Sequence, residues 1–185
     1  MRRLALRMGG LSVAGVLLGM ALVGSLRSAG VVLCIGNSMP KGVYLKVHGH
    51  RDRLNAGDVV LACPLDSSLA SLALARSYLS PGPCAAQSAM LIKRVAAVGG
   101  DRVQITLLGV SINSVGWPSS APLATDPSGR PMPIVFPLTR TLDPEEVLLM
   151  SDNAPLAFDG RYFGLTARRD VLHVLRPVLT WEVQR

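Results

Sequence analysis

The sequence has few aromatic residues, and it lacks several patterns that would assign it to a familiar class. Phe, Trp and Tyr make up 4% of the chain, so Leu, Val, Ile and Ala must fill its core. Despite a net charge of +7, no Lys/Arg cluster is interleaved with aromatics, which argues against nucleic-acid binding. There is no Cys-x-x-Cys spacing, no Gly-x-Ser-x-Gly elbow and no histidine spacing suited to a metal. We therefore expect neither a metal nor a cofactor.

Charge is also absent from residue 8 to residue 26, directly after Arg2, Arg3 and Arg7. As a helix this run would be roughly 28 Å long, close to the ~30 Å hydrocarbon core of a bilayer. Arginines before such a run favour a cytoplasmic N-terminus with the rest of the chain exported. A cleaved signal peptide is the alternative, because small residues follow at 28–30, but its apolar region would be only about 7–15 residues long.

The domain organisation follows from this reading of the N-terminus. We expect a single-pass membrane protein, and its basic excess suits contact with anionic membrane lipid. The length allows one domain with a substantial core outside the anchor. The expected parts are a cytoplasmic N-terminus at 1–7, a transmembrane anchor at 8–30 and an exported β-rich domain at 31–185, with a proline-rich excursion at 117–137 that contains six prolines.

The cysteines allow two interpretations. Cys63 and Cys84 both fall in the exported part, where oxidation is permitted. A disulfide between them would close a loop of about twenty residues and contribute on the order of 3 kcal/mol. Two free thiols are the alternative. Cys34 ends an apolar stretch and is expected to be a small buried side chain.

The hydrophobic pattern predicts a mostly β domain. A helix is expected at 67–79, ended by Pro81-Gly82-Pro83, and Gly99-Gly100-Asp101 indicates a hairpin turn between two strands. The predicted strands lie at 42–47, 58–63, 89–98, 102–108, 110–115, 147–150, 162–166 and 172–178.

The segment 37–44 places a serine between conformational constraints, shortly after the apolar run. Pro40 fixes its own φ and biases the preceding residue toward an extended conformation. Gly36 and Gly42 allow a bound peptide to approach the backbone on either side of Ser38. Ser38 is therefore a candidate nucleophile, although a serine in such a turn is equally compatible with a structural role.

Lys93 lies within an apolar strand pattern. In a strand its side chain shares a face with Leu91 and Val95, whereas Arg94 lies on the opposite face. Burial disfavours the charged form and lowers a lysine pKa, as a general base near neutral pH requires. The alternative is a lysine whose stem covers the core while its amine reaches water.

The negative charge of Asp159 limits the role that this residue can have near Lys93. A carboxylate directly against Lys93 would raise the lysine pKa and oppose its use as a base. We therefore expect Asp159 to pair with Arg94, with Arg161 or with both, bracing the strands around the lysine. A surface salt bridge, worth under about 1 kcal/mol, is the alternative.

Three segments, 37–44, 90–96 and 151–164, together resemble the type I signal peptidases. Within that family they are similar to the conjugal transfer peptidases of the TraF type, whose serine motif also contains Ser-Met-Pro-Lys-Gly. The resemblance implies a signal-peptidase-like antiparallel β domain preceded by one transmembrane helix. The location that it implies is the bacterial inner membrane, with the catalytic domain in the periplasm. It also implies that Ser38 is the nucleophile, that Lys93 is the general base, and that Arg94 and Asp159 form a supporting ion pair.

The chain departs from the family pattern at two positions. Many signal peptidases have Ser or Thr two positions before the nucleophile, where it donates to the oxyanion, and this chain has Gly36. Many also have a serine two positions before the aspartate, close to the lysine, and this chain has Ala157. The backbone N–H of Ser38, together with Asn37, is then expected to stabilise the oxyanion.

The expected function is that of a Ser–Lys serine endopeptidase acting on an exported precursor. The resemblance implies a conjugative pilin as the substrate, with hydrolysis or cyclisation of the product as open outcomes. A general leader peptidase and a non-catalytic, membrane-tethered assembly factor of a conjugation or secretion channel are the alternatives.

Overall fold

The computed structural model describes residues 15–17, 19–21, 23–25, 29–47, 53–133, 137–152 and 156–181. Residues 15–17, 19–21 and 23–25 are helical. Within these described ranges, no helix has the length and apolar character needed to cross a membrane. The anchor expected at 8–30 lies in large part outside the described residues.

Antiparallel strands dominate the described part of the chain, as expected for a mostly β domain. Loosely alternating or fully apolar segments form most of them, and every residue of β3 is buried. The strands are β1 (Val31–Cys34), β2 (Lys41–Val47), β3 (Val59–Ala62), β4 (Leu91–Ala97), β5 (Arg102–Thr106), β6 (Gly109–Ile112), β7 (Val115–Gly116), β8 (Leu138–Thr141), β9 (Glu146–Met150), β10 (Leu165–Ala167) and β11 (Val171–Trp181).

The strands form two sheets. Seven strands make the larger sheet in the order β1-β2-β11-β3-β4-β9-β10, and four make the smaller one in the order β7-β6-β5-β8. In the larger sheet, β4 is an interior strand that pairs with β3 through Lys93 opposite Val60, and with β9 through Arg94 opposite Met150. Lys93 is therefore held by β3 on one side and lies next to the point where the pairing with β9 begins.

Two short helices flank the larger sheet. Helix α1 (Ser67–Ala75) begins after Asp66, whose side chain accepts a hydrogen bond from the Leu69 N–H. Helix α2 (Gly160–Phe163) is a single turn that begins after Asp159, whose side chain accepts from the Arg161 N–H. Both aspartates act as N-caps, which satisfy backbone donors that the first turn leaves unpaired.

Three buried clusters form the core. One packs the inner faces of β3, β4 and β9 against Tyr162 and Phe163 of α2. A second joins the smaller sheet to β9. The third lies under the segment that contains Ser38 and includes Met39, Tyr44 and Cys34. Aliphatic residues make up most of these clusters, as the low aromatic content requires.

Several predicted elements differ from those observed. The helix expected to reach residue 79 ends at Ala75, because Ser77 takes a positive φ of 57° that ends the helical path. The strand predicted at 162–166 was wrong in its first part: residues to Phe163 belong to α2, and β10 starts only after Gly164, whose φ is 77°. Strands β1 and β8 were not predicted.

The turn at Gly99-Gly100 is present, but the hairpin predicted from it was wrong. Gly100 has a φ of 93°, which glycine adopts without strain. A Cβ on Gly99 would lie 2.5 Å from the Cα of Pro144, so the backbones are too close for a side chain there. The two flanking strands do not pair, because β4 continues the larger sheet while β5 starts the smaller one. The turn therefore connects the two sheets.

Candidate active site

Ser38 lies in an irregular segment between the two strands β1 and β2. The next residue, Met39, is fully buried in the cluster beneath it. The carbonyl of Pro40 accepts a 2.7 Å hydrogen bond from the hydroxyl of Tyr44, which is itself buried. A buried side chain and a buried hydrogen-bond donor thus fix the backbone just after Ser38, and Ser38 itself is half-buried.

Lys93 lies on β4, an interior strand of the larger sheet, and is buried, with 2% of its surface exposed. Leu91 and Val95 on the same face of β4 are also buried, while Ile92 and Arg94 on the other face are partly exposed. This is the alternation that the sequence pattern predicts. Lys93 is held where its charge is poorly solvated.

Burial is the main reason that the pKa of Lys93 falls to about 8 from its usual 10.5. The Asp159 carboxylate raises this pKa, and the Arg161 guanidinium lowers it. Burial also raises the pKa of the Cys34 thiol, so that neighbour stays uncharged near neutral pH. A lysine in this environment has a substantial neutral fraction at mildly alkaline pH and can accept a proton.

Ser38 and Lys93 line the same cleft, which has a volume of about 480 Å³. The segment after β1 forms one wall, the start of β4 forms another, and the segments after α1 and before α2 complete it. The lining residues are Leu33, Cys34, Ile35, Gly36, Asn37, Ser38, Tyr78, Leu79, Ser80, Met90, Leu91, Ile92, Lys93, Leu156, Ala157 and Phe158.

The amine of Lys93 donates a hydrogen bond to Ser151, a residue that the sequence reasoning did not single out. Nζ lies 2.8 Å from the Ser151 Oγ, and Ser151 is fully buried. Ser151 directly follows β9, and the pairing of Arg94 with Met150 brings it beside Lys93. The sequence shows a serine directly after an apolar strand. Only the register between β4 and β9 reveals that this serine lies beside Lys93.

Asp159 and Arg161 form a fully buried ion pair. The Arg161 Nε and Nη2 donate to the two carboxylate oxygens of Asp159 at 2.8 and 2.9 Å. Arg161 Nη2 also donates to the carbonyl of Ala157, at 3.2 Å. The Ser151 N–H donates to Asp159 Oδ2 at 3.1 Å. This pair therefore ties together the two segments that flank the lysine amine.

The ion pair expected between Arg94 and Asp159 is not formed, and that part of the prediction was wrong. Arg94 instead pairs with Asp152, through distances of 2.6 Å from Nε to Oδ1 and 2.5 Å from Nη2 to Oδ2. It also donates to the carbonyl of Gly57 at 2.6 Å. The alternation of β4 explains the difference, because Arg94 points to the face opposite Lys93.

The two residues that precede Ser38 are both open to solvent. Gly36 and Asn37 are exposed and line the cleft. A Cβ on Gly36 would meet nothing within 4 Å, so crowding does not require a glycine there. The lack of a hydroxyl at position 36 is thus a chemical difference and not a consequence of space.

A disulfide joins Cys63 to Cys84, with 5.7 Å between their Cα atoms. It connects the end of β3 to the segment that leads into β4. The chain between the two cysteines contains α1 and then Tyr78, Leu79 and Ser80, which line the cleft. One wall of the cleft is therefore covalently closed at its base.

A segment of the proline-rich excursion packs back onto this wall. The Tyr78 hydroxyl donates to Asp126 Oδ2 at 2.7 Å, and the Tyr78 ring lies 5.4 Å from that of Phe158. Arg76 Nη1 donates to the carbonyl of Pro131, and the Leu123 N–H donates to the Tyr162 hydroxyl. The excursion, expected at the surface, is thereby attached to the cleft side of the domain.

A mostly β domain whose cleft contains a serine and a buried lysine has the groups that a serine peptidase needs. The chain belongs to the S26 family of signal peptidases, since the model of the family described as "Signal peptidase, peptidase S26" matches residues 11–179. The family contains serine peptidases, and the resemblance stated from the sequence motifs is confirmed.

Relatives of this chain carry names from plasmid transfer. It is 41% identical over 160 residues to an Escherichia coli "Plasmid transfer protein TraF", covering 86% of this chain and 89% of that protein. It is 36% identical over 168 residues to a "Probable conjugal transfer protein TraF" of Sinorhizobium fredii, covering 88% and 85%. Among solved structures, a signal peptidase I from Enterococcus faecalis is 16% identical with a TM-score of 0.40, covering 67% of this chain and 97% of that one.

Proposed function

We propose that this protein is a membrane-anchored serine endopeptidase in which Ser38 is the nucleophile and Lys93 is the general base. Its substrate is an exported precursor, a conjugative pilin, from which it removes a leader or terminal segment. The observation that carries the proposal is the placement of both side chains in one cleft, with the pKa of Lys93 lowered to about 8.

The proposed reaction starts with the neutral amine of Lys93. The Ser38 Oγ attacks the scissile carbonyl carbon while its proton passes to Lys93 Nζ. The tetrahedral intermediate collapses when the Lys93 ammonium gives that proton to the departing amine nitrogen, which leaves an acyl-enzyme ester on Ser38. A water molecule or another amine then attacks the ester and gives a proton to Lys93, which passes it to the departing Ser38 Oγ, so that the serine hydroxyl and the neutral amine are restored.

The developing oxyanion needs hydrogen-bond donors near Ser38. Because Gly36 offers no side-chain hydroxyl, we assign this role to the Ser38 backbone N–H together with Asn37. Asn37 lines the cleft and is exposed, so a bound peptide has access to it.

The substrate chain has a natural place along β4. Strand β3 pairs with β4 from Leu91 to Arg94, whereas β9 pairs with it only from Arg94 onward. Residues 91–93 therefore border the cleft on the side that β9 leaves uncovered. We place an extended segment of the precursor there, since an extended peptide can add to such an edge through main-chain hydrogen bonds.

The names of the relatives support a role in conjugation. Two of them are described as plasmid or conjugal transfer proteins. A pilin precursor is a substrate of the right kind for such a system, and an acyl-enzyme can be resolved by the N-terminal amine of the same pilin. That outcome produces a circular product, one water lighter than the linear product of hydrolysis.

We propose that the domain works at the periplasmic face of the inner membrane. Leu33, Ile35 and Leu156 border the cleft and are 64%, 81% and 69% exposed. Large exposed apolar side chains are typical of surfaces that meet a membrane or a partner. Mass spectrometry of the membrane-bound protein tests the anchor: residues 8–26 should be retained. A mature protein that begins near residue 31 and is released by carbonate would contradict the anchor.

The direct test uses the full-length protein in detergent with a purified pilin precursor. Wild type should cleave the precursor and Ser38→Ala should not, and intact mass separates linear from circular products. Cleavage of unrelated preproteins at a similar rate would favour a general leader peptidase. A wild-type protein that binds the precursor and never cleaves it would favour an assembly factor.

A further inference from the structure

Ser151 lies where the lysine amine meets the buried ion pair. Its Oγ accepts the hydrogen bond from Lys93 Nζ at 2.8 Å, and its N–H donates to Asp159 Oδ2 at 3.1 Å. Asp159 in turn is held by Arg161. The Ser151 hydroxyl is thus attached to a fixed framework through its own backbone.

A lysine that acts as a base needs such an attachment. Its stem has four rotatable bonds, and a long side chain loses about 1.5–2 kcal/mol of rotamer freedom when it is ordered. A neutral amine has two N–H groups and one lone pair, and only the lone pair accepts a proton. An acceptor that fixes one N–H restricts the directions in which the lone pair can point.

The position that carries this hydroxyl in many signal peptidases is an alanine in this chain. Many signal peptidases have a serine two positions before the aspartate, and here Ala157 lines the cleft without a polar side-chain group. Ser151 approaches Lys93 from the end of β9 and so from a different segment of the chain. A hydroxyl is therefore beside the lysine amine although position 157 has none.

We propose that Ser151 is the positioning residue of Lys93: it accepts one amine hydrogen and directs the lone pair toward the cleft. The role of Lys93 as a base rests on the proposed function. The charged groups that act on the amine, Asp159 and Arg161, are both kept when the Ser151 hydroxyl is removed.

The test compares Ser151→Ala with a matched control, Ser120→Ala. Alanine keeps the backbone N–H that bonds Asp159, so Ser151→Ala should fold. Ser120 is also a buried serine, but its hydroxyl bonds Val110 and Trp117 at the smaller sheet. We expect Ser151→Ala to lower kcat about 10–100-fold with little change in KM, which is less than the roughly 10²–10⁴-fold supplied by a general base, because Lys93 itself is still present. Ser120→Ala should keep the wild-type kcat.

A second measurement needs no substrate. In a Ser38→Ala background, the pH dependence of Lys93 acetylation by a trace reagent reports the titration of its amine. Removing an acceptor of the ammonium favours the neutral amine, so Ser151→Ala should move the midpoint to lower pH. An unchanged midpoint, or a kcat within twofold of wild type, would overturn the inference. If wild type cleaves no precursor, the proposed function fails, and this titration still decides whether Ser151 holds the amine.

Discussion

The side chains of Asp159 and Arg161 form an ion pair in which neither has any exposed surface. Two hydrogen bonds join the carboxylate and the guanidinium, and the same carboxylate accepts from the Ser151 N–H. Such a pair is rarely a net source of stability, but removing one partner leaves a buried charge uncompensated. The pair fixes the backbone of Ser151 beside the lysine amine, and we therefore propose a supporting role for it and no part in proton transfer.

Replacing the carboxylate tests this interpretation. Asp159→Asn should lower the free energy of unfolding by about 3–5 kcal/mol, because Arg161 stays buried without its counter-charge. Asp152→Asn is the matched control. It disrupts the Arg94 pair, whose side chains are 30% and 21% exposed, and should cost about 1 kcal/mol. Urea unfolding measures both. Equal losses of stability in the two variants would show that the Asp159–Arg161 pair contributes no more than a partly exposed salt bridge does.

The same variant makes a prediction about pH. The Asp159 carboxylate raises the pKa of Lys93, and Arg161 lowers it. When Asp159 is neutralised, Arg161 still lowers the pKa of Lys93 and the carboxylate no longer raises it. The rising limb of the pH–rate profile should stay in place or move to lower pH, while the maximum rate falls. A limb that moves to clearly higher pH would contradict the assigned sign.

The buried lysine should destabilise the fold at neutral pH. Its pKa is about 8 in the folded protein and 10.5 when unperturbed, a difference worth about 3 kcal/mol. Below pH 8 both states bind the proton, so the folded state carries the full penalty. Between about pH 8 and 10.5 only the unfolded state keeps the proton, and stability rises with pH.

Lys93→Met should remove that penalty. The variant is expected to be more stable than wild type at pH 7 by up to about 3 kcal/mol, less the lost hydrogen bond to Ser151. The difference in unfolding free energy between the variant and wild type should shrink as the pH approaches 10.5. Urea unfolding at pH 7 and near pH 10.5 would measure it. A variant that is less stable than wild type at pH 7 would show that Lys93 is not strained by burial.

The disulfide should support the wall of the cleft. Cys63 and Cys84 are 21 positions apart, so their bond should contribute about 3 kcal/mol to stability. Cys63→Ser should cause that loss and raise KM, because Tyr78 and Leu79 lie on the closed segment. The double variant Cys63→Ser/Cys84→Ser should match the single one, since both lack the same bond. An unchanged KM would show that this wall of the cleft does not contribute to substrate binding.

Local patterns were sufficient to predict the features that depend on strand alternation. The burial of Lys93 and the opposite orientation of Arg94 follow from the period of two in β4. The constraints that Pro40 and its neighbours place on the backbone made Ser38 a candidate nucleophile, and the resemblance to the serine motif of the signal peptidases favoured that role over a structural one. Both predictions concern residues within one short stretch of chain.

The errors concern contacts between distant segments. The partner of Arg94 and the hydroxyl beside Lys93 depend on the register between β4 and β9, which brings residues 58 positions apart together. The false hairpin at Gly99-Gly100 has a similar cause, since a turn alone does not decide which sheet each strand joins. These relationships are set by tertiary packing.

The assignment of Lys93 as the base for Ser38 is tested most directly by precursor cleavage under single-turnover conditions. Ser38→Ala, Lys93→Ala and Lys46→Ala would be compared in full-length protein of verified fold. Lys46 lies on β2 and is not among the residues that line the cleft, so its variant controls for loss of a lysine. We predict that both Ser38→Ala and Lys93→Ala abolish cleavage while Lys46→Ala retains it. Near-normal cleavage by Lys93→Ala, with Ser38→Ala inactive, would contradict the assignment.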